Sequence, residues 1–188
     1  MEPSDEGDNS LPDKKSDKKK MFPYRYVYLI IIVVIFILLI YIFLSPLFVD
    51  LEGQPAPDFS VNDIDGNEFT LSEQQGKVVV LDIMTLSCPA CIEEMEHLRA
   101  ISTRYSQDEL AIVTISIDSK DSKDAIDNFR TKHGANWTFV TDTDGVANKY
   151  KVSYIPTIVV IDKEGVIRYW GAGEISAPRL SSEIDKWL

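Results

Sequence analysis

The most apolar part of the chain is an unbroken run near its N-terminus. No charged residue occurs from Tyr26 to Val49, and the stretch VYLIIIVVIFILLIYIFL is nearly all aliphatic or aromatic. Because an α-helix rises about 1.5 Å per residue, about 20 such residues span a hydrocarbon core of about 30 Å. A buried helix of a soluble domain is rarely apolar on every side over such a length. The pattern therefore predicts one transmembrane helix over residues 24–48.

Polar segments lie on both sides of this run. Residues 1–23 are mostly charged or polar, which predicts a disordered tail. Residues 49–57 contain Gly53, Pro55 and Pro57, which predict a short linker. The remaining residues, 58–188, alternate between short apolar runs and helical periodicity, and we predict that they form one folded domain.

Strand patterns dominate the first half of this domain and recur near its end. Apolar positions on both sides of Asp65-Gly66 predict a β-hairpin over 59–71. Continuous apolar runs are typical of strands buried on both faces. These runs occur at 78–84, 111–117, 137–141 and 157–162, and a turn at Gly165 joins the last of them to a strand at 166–170.

Helical periodicity separates these strands. After Cys91 the apolar residues Ile92, Met95, Leu98 and Ile101 recur at helical spacing, whereas Glu93, Glu94, Glu96 and Arg99 fall elsewhere around the axis. Further helices are predicted over 121–133 and 144–150, and a last one carries Leu180, Ile184, Trp187 and Leu188 on one face. Alternating strands and helices predict an α/β domain whose mostly parallel sheet is covered on both faces and has one antiparallel edge.

Charge gives the predicted anchor a direction. Six basic residues precede the apolar run, and none follows it before Lys77; they are Lys14, Lys15, Lys18, Lys19, Lys20 and Arg25. The positive-inside rule then predicts a cytoplasmic N-terminus and an extracytoplasmic domain. A cleaved signal peptide is the alternative, but the run is longer than a usual signal sequence. The formal net charge of −11 argues against nucleic-acid binding.

Two cysteines, Cys88 and Cys91, are the only ones in the chain, and they open a predicted helix. Unpaired N–H groups at a helix N-terminus stabilise a thiolate, which is the attacking species. A second cysteine in the first turn can attack the resulting mixed disulfide. Zinc ligation and inert cysteines are the alternatives. Zinc needs about four ligands, and only His97 and His133 could add to the pair.

Two further residues are candidates for the same chemistry. Asp82 lies within an apolar strand, where an acid is costly to bury and burial would raise its pKa. It precedes Cys88 by six positions, so it could exchange a proton with Cys91, unless it faces solvent or is satisfied by neighbours. Pro156 precedes another apolar strand, either as a trans proline at a strand start or as a cis proline facing the cysteines.

These motifs give the chain a resemblance to a known group of proteins over residues 53–188. It resembles the thioredoxin superfamily, and most closely the membrane-anchored, extracytoplasmic TlpA/ResA-type branch within the wider redoxin and alkyl-hydroperoxide-reductase grouping. The matching motifs are Ala56-Pro57-Asp58-Phe59, Asp65-Gly66, Gly76-Lys77-Val78-Val79-Val80, Cys88-Pro89-Ala90-Cys91, Glu94-Met95, Ile155-Pro156-Thr157 and Asp162-Lys163-Glu164-Gly165.

The resemblance implies a thioredoxin fold, in which helices flank a central mixed β-sheet with an N-terminal β-hairpin extension, here preceded by one transmembrane helix. It implies that Cys88 is the nucleophile and Cys91 the resolving thiol, and that Asp82 is the buried acid of this site. Departures from the pattern are Ser87 in place of an aromatic residue, Met84 in place of tryptophan, and Glu96 in place of a helix-kinking proline.

The resemblance also implies a substrate-binding surface beside the cysteines. Pro156 is expected to follow a cis peptide bond, and Ile155 to offer its backbone to an extended substrate segment. Pro89 and Ala90, between the two cysteines, are expected to contact the same substrate.

The leading functional hypothesis is a membrane-anchored thiol:disulfide oxidoreductase that reduces protein disulfides outside the cytoplasm. It would use no metal or organic cofactor beyond the Cys88–Cys91 disulfide, and the family implies a membrane thiol carrier as electron partner. One alternative is a peroxidase of the peroxiredoxin type, since Thr85 lies three residues before Cys88, although Leu81 stands where that site has proline. Another is a copper-binding assembly factor, for which His133 is the candidate ligand.

Overall fold

The structure, a computed structural model, describes residues 24–44 and 51–188. The predicted tail over 1–23 lies outside the described residues. So do residues 45–50, which hold the end of the predicted transmembrane segment and the start of the predicted linker. Contacts divide the chain into two units, with the boundary between Val49 and Asp50.

The first unit contributes helix α1 (Tyr24–Leu44). Its side chains from Tyr26 to Ile42 are all aliphatic or aromatic, and all are exposed. Within the described parts of the chain, no helix combines the length and the apolar character that crossing a membrane requires.

The second unit is built on a five-stranded mixed sheet and a separate two-stranded hairpin. The hairpin strands are β1 (Ser60–Asn62) and β2 (Glu68–Thr70), which pair as predicted around Asp65-Gly66. The sheet has the order β5-β4-β3-β6-β7. Its strands are β3 (Val78–Met84), β4 (Leu110–Ser116), β5 (Thr138–Thr141), β6 (Thr157–Ile161) and β7 (Ile167–Ala172).

Helices cover both faces of this sheet. They are α2 (Pro89–Arg104), α3 (Lys123–Lys132), α4 (Val146–Lys149) and α5 (Ala177–Ile184), and a 3-10 helix spans Leu71–Gln74. Apolar residues of α2, α3 and α5 form one core with alternate residues of the strands, including Val80 and Met84 of β3. The opposite face of β3, through Leu81 and Ile83, packs against the hairpin and α4.

The sheet is mixed, as the resemblance implied, and its antiparallel pairings lie on one side, at β6 and β7. Strand β3 pairs in parallel with β4, and β4 with β5, but β6 runs antiparallel to both β3 and β7. A parallel crossover normally uses a helix that returns the chain to the opposite edge of the sheet. The connection from β5 to β6, residues 142–156, includes only one short helix, α4 (Val146–Lys149), and Thr157 at the start of β6 pairs with Ile83 near the end of β3.

The prediction for the last helix was wrong in its final turn. Leu180 and Ile184 are buried as expected, but α5 ends at Ile184, before Trp187 and Leu188. The Trp187 ring instead packs beneath the guanidinium of Arg168 on β7, at 4.1 Å from the ring centroid. Trp187 also packs against the core that contains Leu180 and Ile184, so it lies on the predicted side although it is outside the helix.

Part of the segment predicted as a linker packs against the sheet. The N–H of Gly53 donates to Ile167 O at 2.7 Å, and the N–H of Ala56 donates to Gly165 O at 2.8 Å. Residues 53–56 therefore run beside the turn that precedes β7 and its first residue, before the hairpin begins.

Candidate active site

The two cysteines lie where β3 passes into α2. A short loop follows Met84, and Cys88 is the N-cap residue of the helix, with Pro89 as its first residue. Pro89 suits this position because proline has no N–H, and an N–H in the first turn would have no partner within the helix. Cys88 and Cys91 form a disulfide, with their Cα atoms 5.2 Å apart. The N–H of Cys91 donates to Cys88 Sγ at 3.2 Å, so the sulfur occupies the capping site of the helix.

The two sulfurs differ in their access to solvent. Cys88 is partly exposed, whereas Cys91 is fully buried on the face of α2 that packs against the core. An incoming thiol or disulfide can therefore reach Cys88 and not Cys91. The helix N-terminus next to Cys88 favours a negative charge on its sulfur once the disulfide is reduced.

The loop before β6 faces the disulfide. The peptide bond between Ile155 and Pro156 is cis, which confirms the prediction made from the resemblance. Cys88 Sγ lies 3.9 Å from Ile155 O, so the cysteine and the proline loop belong to one site. Pro156 is buried, and Ile155 is partly exposed.

The two segments that meet at Cys88 carry apolar residues that are open to solvent. Tyr154 is 62% exposed, Ile92 is 37% exposed, and Pro89 is also exposed, while Ala90 is partly so. A surface of this composition can receive an apolar or extended segment of another protein. Whether Pro89, Ala90, Ile155 and Pro156 bind substrate stays a prediction.

Asp82 is fully buried in the middle of the sheet, which excludes the alternative that it faces solvent. Its alternation with Val80 and Met84 places it on the sheet face that α2 covers. The Thr114 hydroxyl donates to Asp82 Oδ2 at 3.0 Å. Burial raises the pKa of Asp82 to about 7, and the bond from Thr114 opposes that rise. The group can therefore take up or release a proton near neutral pH.

Glu94 is a buried acid that the sequence analysis placed among the polar positions of α2. The helix is rotated from that expectation, so that Cys91 and Glu94 face the core and Ile92 lies at the surface. The N–H of Ile175 donates to Glu94 Oε2 at 2.8 Å. Burial raises the pKa of Glu94 to about 8. The one available signal was its spacing of three residues from Cys91, which places both side chains on one helix face.

The two buried acids belong to the same region of the core as Cys91. The charge of Asp82 adds to the rise in the pKa of Glu94. Asp82 Oδ1 and Glu94 Oε1 are both buried and have no hydrogen-bond partner among the described residues. Each acid thus has one oxygen held by a donor and one that is free to carry a proton.

The histidines do not join this site. His133 is the C-cap residue of α3, and its ring packs against Phe129 with centroids 4.4 Å apart. Among residues 24–44 and 51–188, no group of three or more histidines, cysteines or acids is arranged to hold a metal ion. Thr85, the residue behind the peroxidase alternative, accepts the N–H of Cys88 through its backbone oxygen at 3.3 Å.

Comparison with known proteins agrees with this architecture. Residues 52–170 match the AhpC/TSA family. The thioredoxin-like protein YneN of Bacillus subtilis is 28% identical over 135 residues, which cover 71% of this chain and 79% of YneN. The thiol-disulfide oxidoreductase ResA of the same organism is 32% identical over 117 residues, which cover 62% of this chain and 64% of ResA.

Solved structures share the fold. A thiol:disulfide interchange protein of the thioredoxin family from Chlorobium tepidum superposes with a TM-score of 0.65 at 20% identity, over 74% of this chain and 99% of that one. The chain therefore belongs to the AhpC/TSA family and is a ResA-like member of the thioredoxin superfamily.

Proposed function

We propose that this thiol-disulfide oxidoreductase reduces disulfides of other proteins outside the cytoplasm, while anchored to the membrane. The observation that carries the proposal is the pairing of a partly exposed Cys88 at a helix N-terminus with a fully buried Cys91. This arrangement separates the sulfur that meets the substrate from the sulfur that completes the exchange.

The reaction starts from the dithiol form. The Cys88 thiolate attacks a sulfur of the substrate disulfide, which forms a mixed disulfide and releases one substrate thiolate. Cys91, as a thiolate, then attacks Cys88 Sγ, which forms the Cys88–Cys91 disulfide and releases the second substrate thiolate. Two electrons pass to the substrate, and its two thiolates take up two protons. A reduced thiol carrier then restores the dithiol.

Cys91 must lose its proton in the second step, although it is shielded from water. Asp82 and Glu94 are the ionisable groups of the surrounding core. Asp82, whose pKa is raised to about 7, is ionised in a substantial fraction of molecules at neutral pH and can accept that proton. Glu94, with its higher pKa, is mostly protonated there and limits the negative charge in the core.

The proposed anchor is the segment 24–48, with the N-terminus in the cytoplasm. Its support is the absence of charged residues from Tyr26 to Val49 and the six basic residues before that run. Membranes from cells that express the full chain test this proposal. Retention after alkaline carbonate washing is the expected result, together with labelling of Cys88 in the Cys91→Ser variant by an impermeant thiol reagent in intact cells after treatment with an impermeant reductant. Release by carbonate or protection of Cys88 would contradict it.

Cysteine variants of the full chain test the catalytic assignment. Cys88→Ser should abolish insulin-disulfide reduction. Cys91→Ser should keep the first attack and accumulate a mixed disulfide with insulin, which mass spectrometry detects. Unchanged activity in Cys88→Ser would defeat the proposal, and rapid turnover of hydrogen peroxide at Cys88 would favour the peroxidase alternative.

The direction of electron flow is tested by the midpoint potential of the Cys88–Cys91 couple. A potential well below that of the glutathione pool favours a reductase that receives electrons from a membrane thiol carrier. A potential well above it would instead indicate an oxidase.

A further inference from the structure

A chain of hydrogen bonds ends at Asp82 inside the sheet. The indole Nε1 of Trp137 lies 3.0 Å from Thr114 Oγ1, and Thr114 Oγ1 lies 3.0 Å from Asp82 Oδ2. All three side chains are buried, with exposures of 9% for Trp137, 1% for Thr114 and 0% for Asp82. Thr114 on β4 lies directly opposite Asp82 on β3, and Trp137 immediately precedes β5. The contact therefore crosses three neighbouring strands away from water.

Donor chemistry fixes the direction of this chain. An indole nitrogen can only donate a hydrogen bond, so Thr114 Oγ1 accepts the bond from Trp137. A hydroxyl carries a single hydrogen, and Thr114 uses it in the bond to Asp82. Oδ2 of Asp82 is consequently the acceptor in the bond from Thr114.

The two oxygens of Asp82 are thereby made unequal. If the acid proton sat on Oδ2, the hydroxyl of Thr114 would face two donors, and its own hydrogen would lose the acceptor it has now. Oδ1, in contrast, is buried and has no partner among the described residues. We propose that Trp137 and Thr114 are positioning residues, which hold Oδ2 of Asp82 as an acceptor and leave Oδ1 to take up and release the proton.

This inference rests on the proton-transfer role of Asp82 in the proposed function. The two hydrogen bonds should stabilise the ionised form of Asp82, because a donor fixed on a carboxylate oxygen favours the charged state. Without the hydrogen bond from Thr114, nothing would oppose the effect of burial, and the pKa of Asp82 would rise further.

The other groups that face Asp82 are few. Helix α2 contributes Cys91 and Glu94, and Tyr169 on β7 interacts with Glu94. The residues of β4 and β6 paired with Asp82 are Thr114 and Ile158, neither of which is charged. Since Glu94 is held separately by the N–H of Ile175, the Trp137–Thr114 pair can be altered while that contact stays in place.

A carbon-13 NMR titration of the Asp82 carboxyl, in the full chain with its disulfide intact, tests the proposal. Thr114→Val should raise the pKa of Asp82 by about one unit, a tenfold gain in proton affinity. Thr114→Ser keeps the hydroxyl and should restore the original value. Ser116→Ala is the matched control, because Ser116 is a buried hydroxyl on the same face of β4 that bonds Asp121 and not Asp82. Its titration should match that of the unaltered chain.

Trp137→Phe supplies an independent test, since it keeps an aromatic ring and removes only the donor. It should raise the pKa of Asp82 by less than Thr114→Val, because the Thr114 hydroxyl remains and can still hydrogen-bond to Oδ2 in either protonation state of the acid. The double variant should titrate like Thr114→Val alone, since both changes cut one chain.

An unchanged pKa in Thr114→Val, or additive shifts in the double variant, would overturn the proposal. The titration needs no turnover, so its outcome is separate from that of the proposed function. If Cys88→Ser kept full activity, the proposed function would fail even though the titration confirmed the Trp137–Thr114–Asp82 chain.

Discussion

Glu94 accepts the backbone N–H of Ile175 through Oε2 at 2.8 Å, although the two residues are 81 positions apart. The bond joins the helix that carries Cys91 to the segment between β7 and α5, and both residues are buried. It holds the acid in place from outside its own helix. Oε1 remains without a partner among the described residues. Glu94 therefore combines a structural contact with a free oxygen beside the buried cysteine.

Substitution of Glu94 separates these two properties. Glu94→Gln keeps an oxygen for the N–H of Ile175 and removes the acid. The free energy of unfolding in urea should therefore change by less than about 1 kcal/mol. The change in reaction rate near pH 8, which reports the ionisation of Glu94, should be lost. Glu94→Ala also removes the acceptor and opens a cavity, which should cost about 2–4 kcal/mol. Glu93→Gln, at an exposed neighbour, is the control. A Gln variant that kept the unaltered pH profile would show that Glu94 has only the structural contact.

Asp82 should make the folded domain less stable as the pH rises. Its pKa is raised from 3.8 to about 7 by burial, so the folded state binds more protons than the unfolded state between these values. The contribution of Asp82 to the free energy of unfolding is fully present below about pH 4. It is lost as the pH rises from there to about 7, at up to about 1.4 kcal/mol per pH unit.

Urea unfolding of the full chain at several pH values measures this loss. The free energy of unfolding of the unaltered chain, minus that of Asp82→Asn, should fall by about 3 or 4 kcal/mol from pH 4 to pH 8, because only the unaltered chain has to ionise the buried acid. Asp108→Asn, at an exposed acid, should run parallel to the unaltered chain. A difference that is constant across this range would show that Asp82 is ionised in the folded protein at all of these pH values.

Features encoded by neighbouring residues could be predicted from the sequence, and contacts between distant residues could not. The strand Val78–Met84 has the bounds that were predicted, because all seven residues are buried and form one apolar run. The cysteine pair was equally visible, since its chemistry depends on a spacing of three. The burial of Glu94 was missed, because its partner Ile175 comes from a distant part of the chain. The bond from Trp137 to Thr114 likewise crosses between strands and leaves no periodic signal.

Gly171 makes room for a folded-back tyrosine on β7. The hydroxyl of Tyr169 lies where a side chain at position 171 would begin, since a Cβ added there would meet the Tyr169 hydroxyl and ring. The guanidinium of Arg179 packs over the same ring at 5.6 Å from its centroid. The lack of a side chain at Gly171 therefore sets the position of the Tyr169 ring, which lies between α5 and the core.

Gly171→Ala should displace the Tyr169 ring and destabilise the domain by about 1–3 kcal/mol, as overpacking does. Thermal unfolding of Gly171→Ala, Tyr169→Ala and the double variant measures the coupling. The double variant should be less destabilised than the sum of the single changes, because alanine at position 169 leaves nothing to displace. Strict additivity would mean that the Tyr169 ring moves away at no cost.

Asp121 holds the loop that precedes the nucleophile. The N–H of Leu86 donates to Asp121 Oδ2 at 3.1 Å, and the Ser116 hydroxyl donates to the same oxygen at 2.7 Å. Leu86 lies two residues before Cys88, whose own N–H donates to Thr85 O. The carboxylate thus ties the end of β4 to the backbone that positions the attacking sulfur.

Removal of this carboxylate should slow the first attack and leave the fold largely intact. Asp121→Ala leaves the N–H of Leu86 without its acceptor, and loss of alignment at Cys88 should lower kcat/KM for insulin reduction about tenfold. Asp121→Asn retains an acceptor oxygen and should lose less than about threefold. Asp118→Ala is the control, because Asp118 Oδ1 accepts from Lys120 N within its own loop. If the alanine and asparagine variants were equally slow, the charge of Asp121 and not its hydrogen bond would govern the reactivity of Cys88.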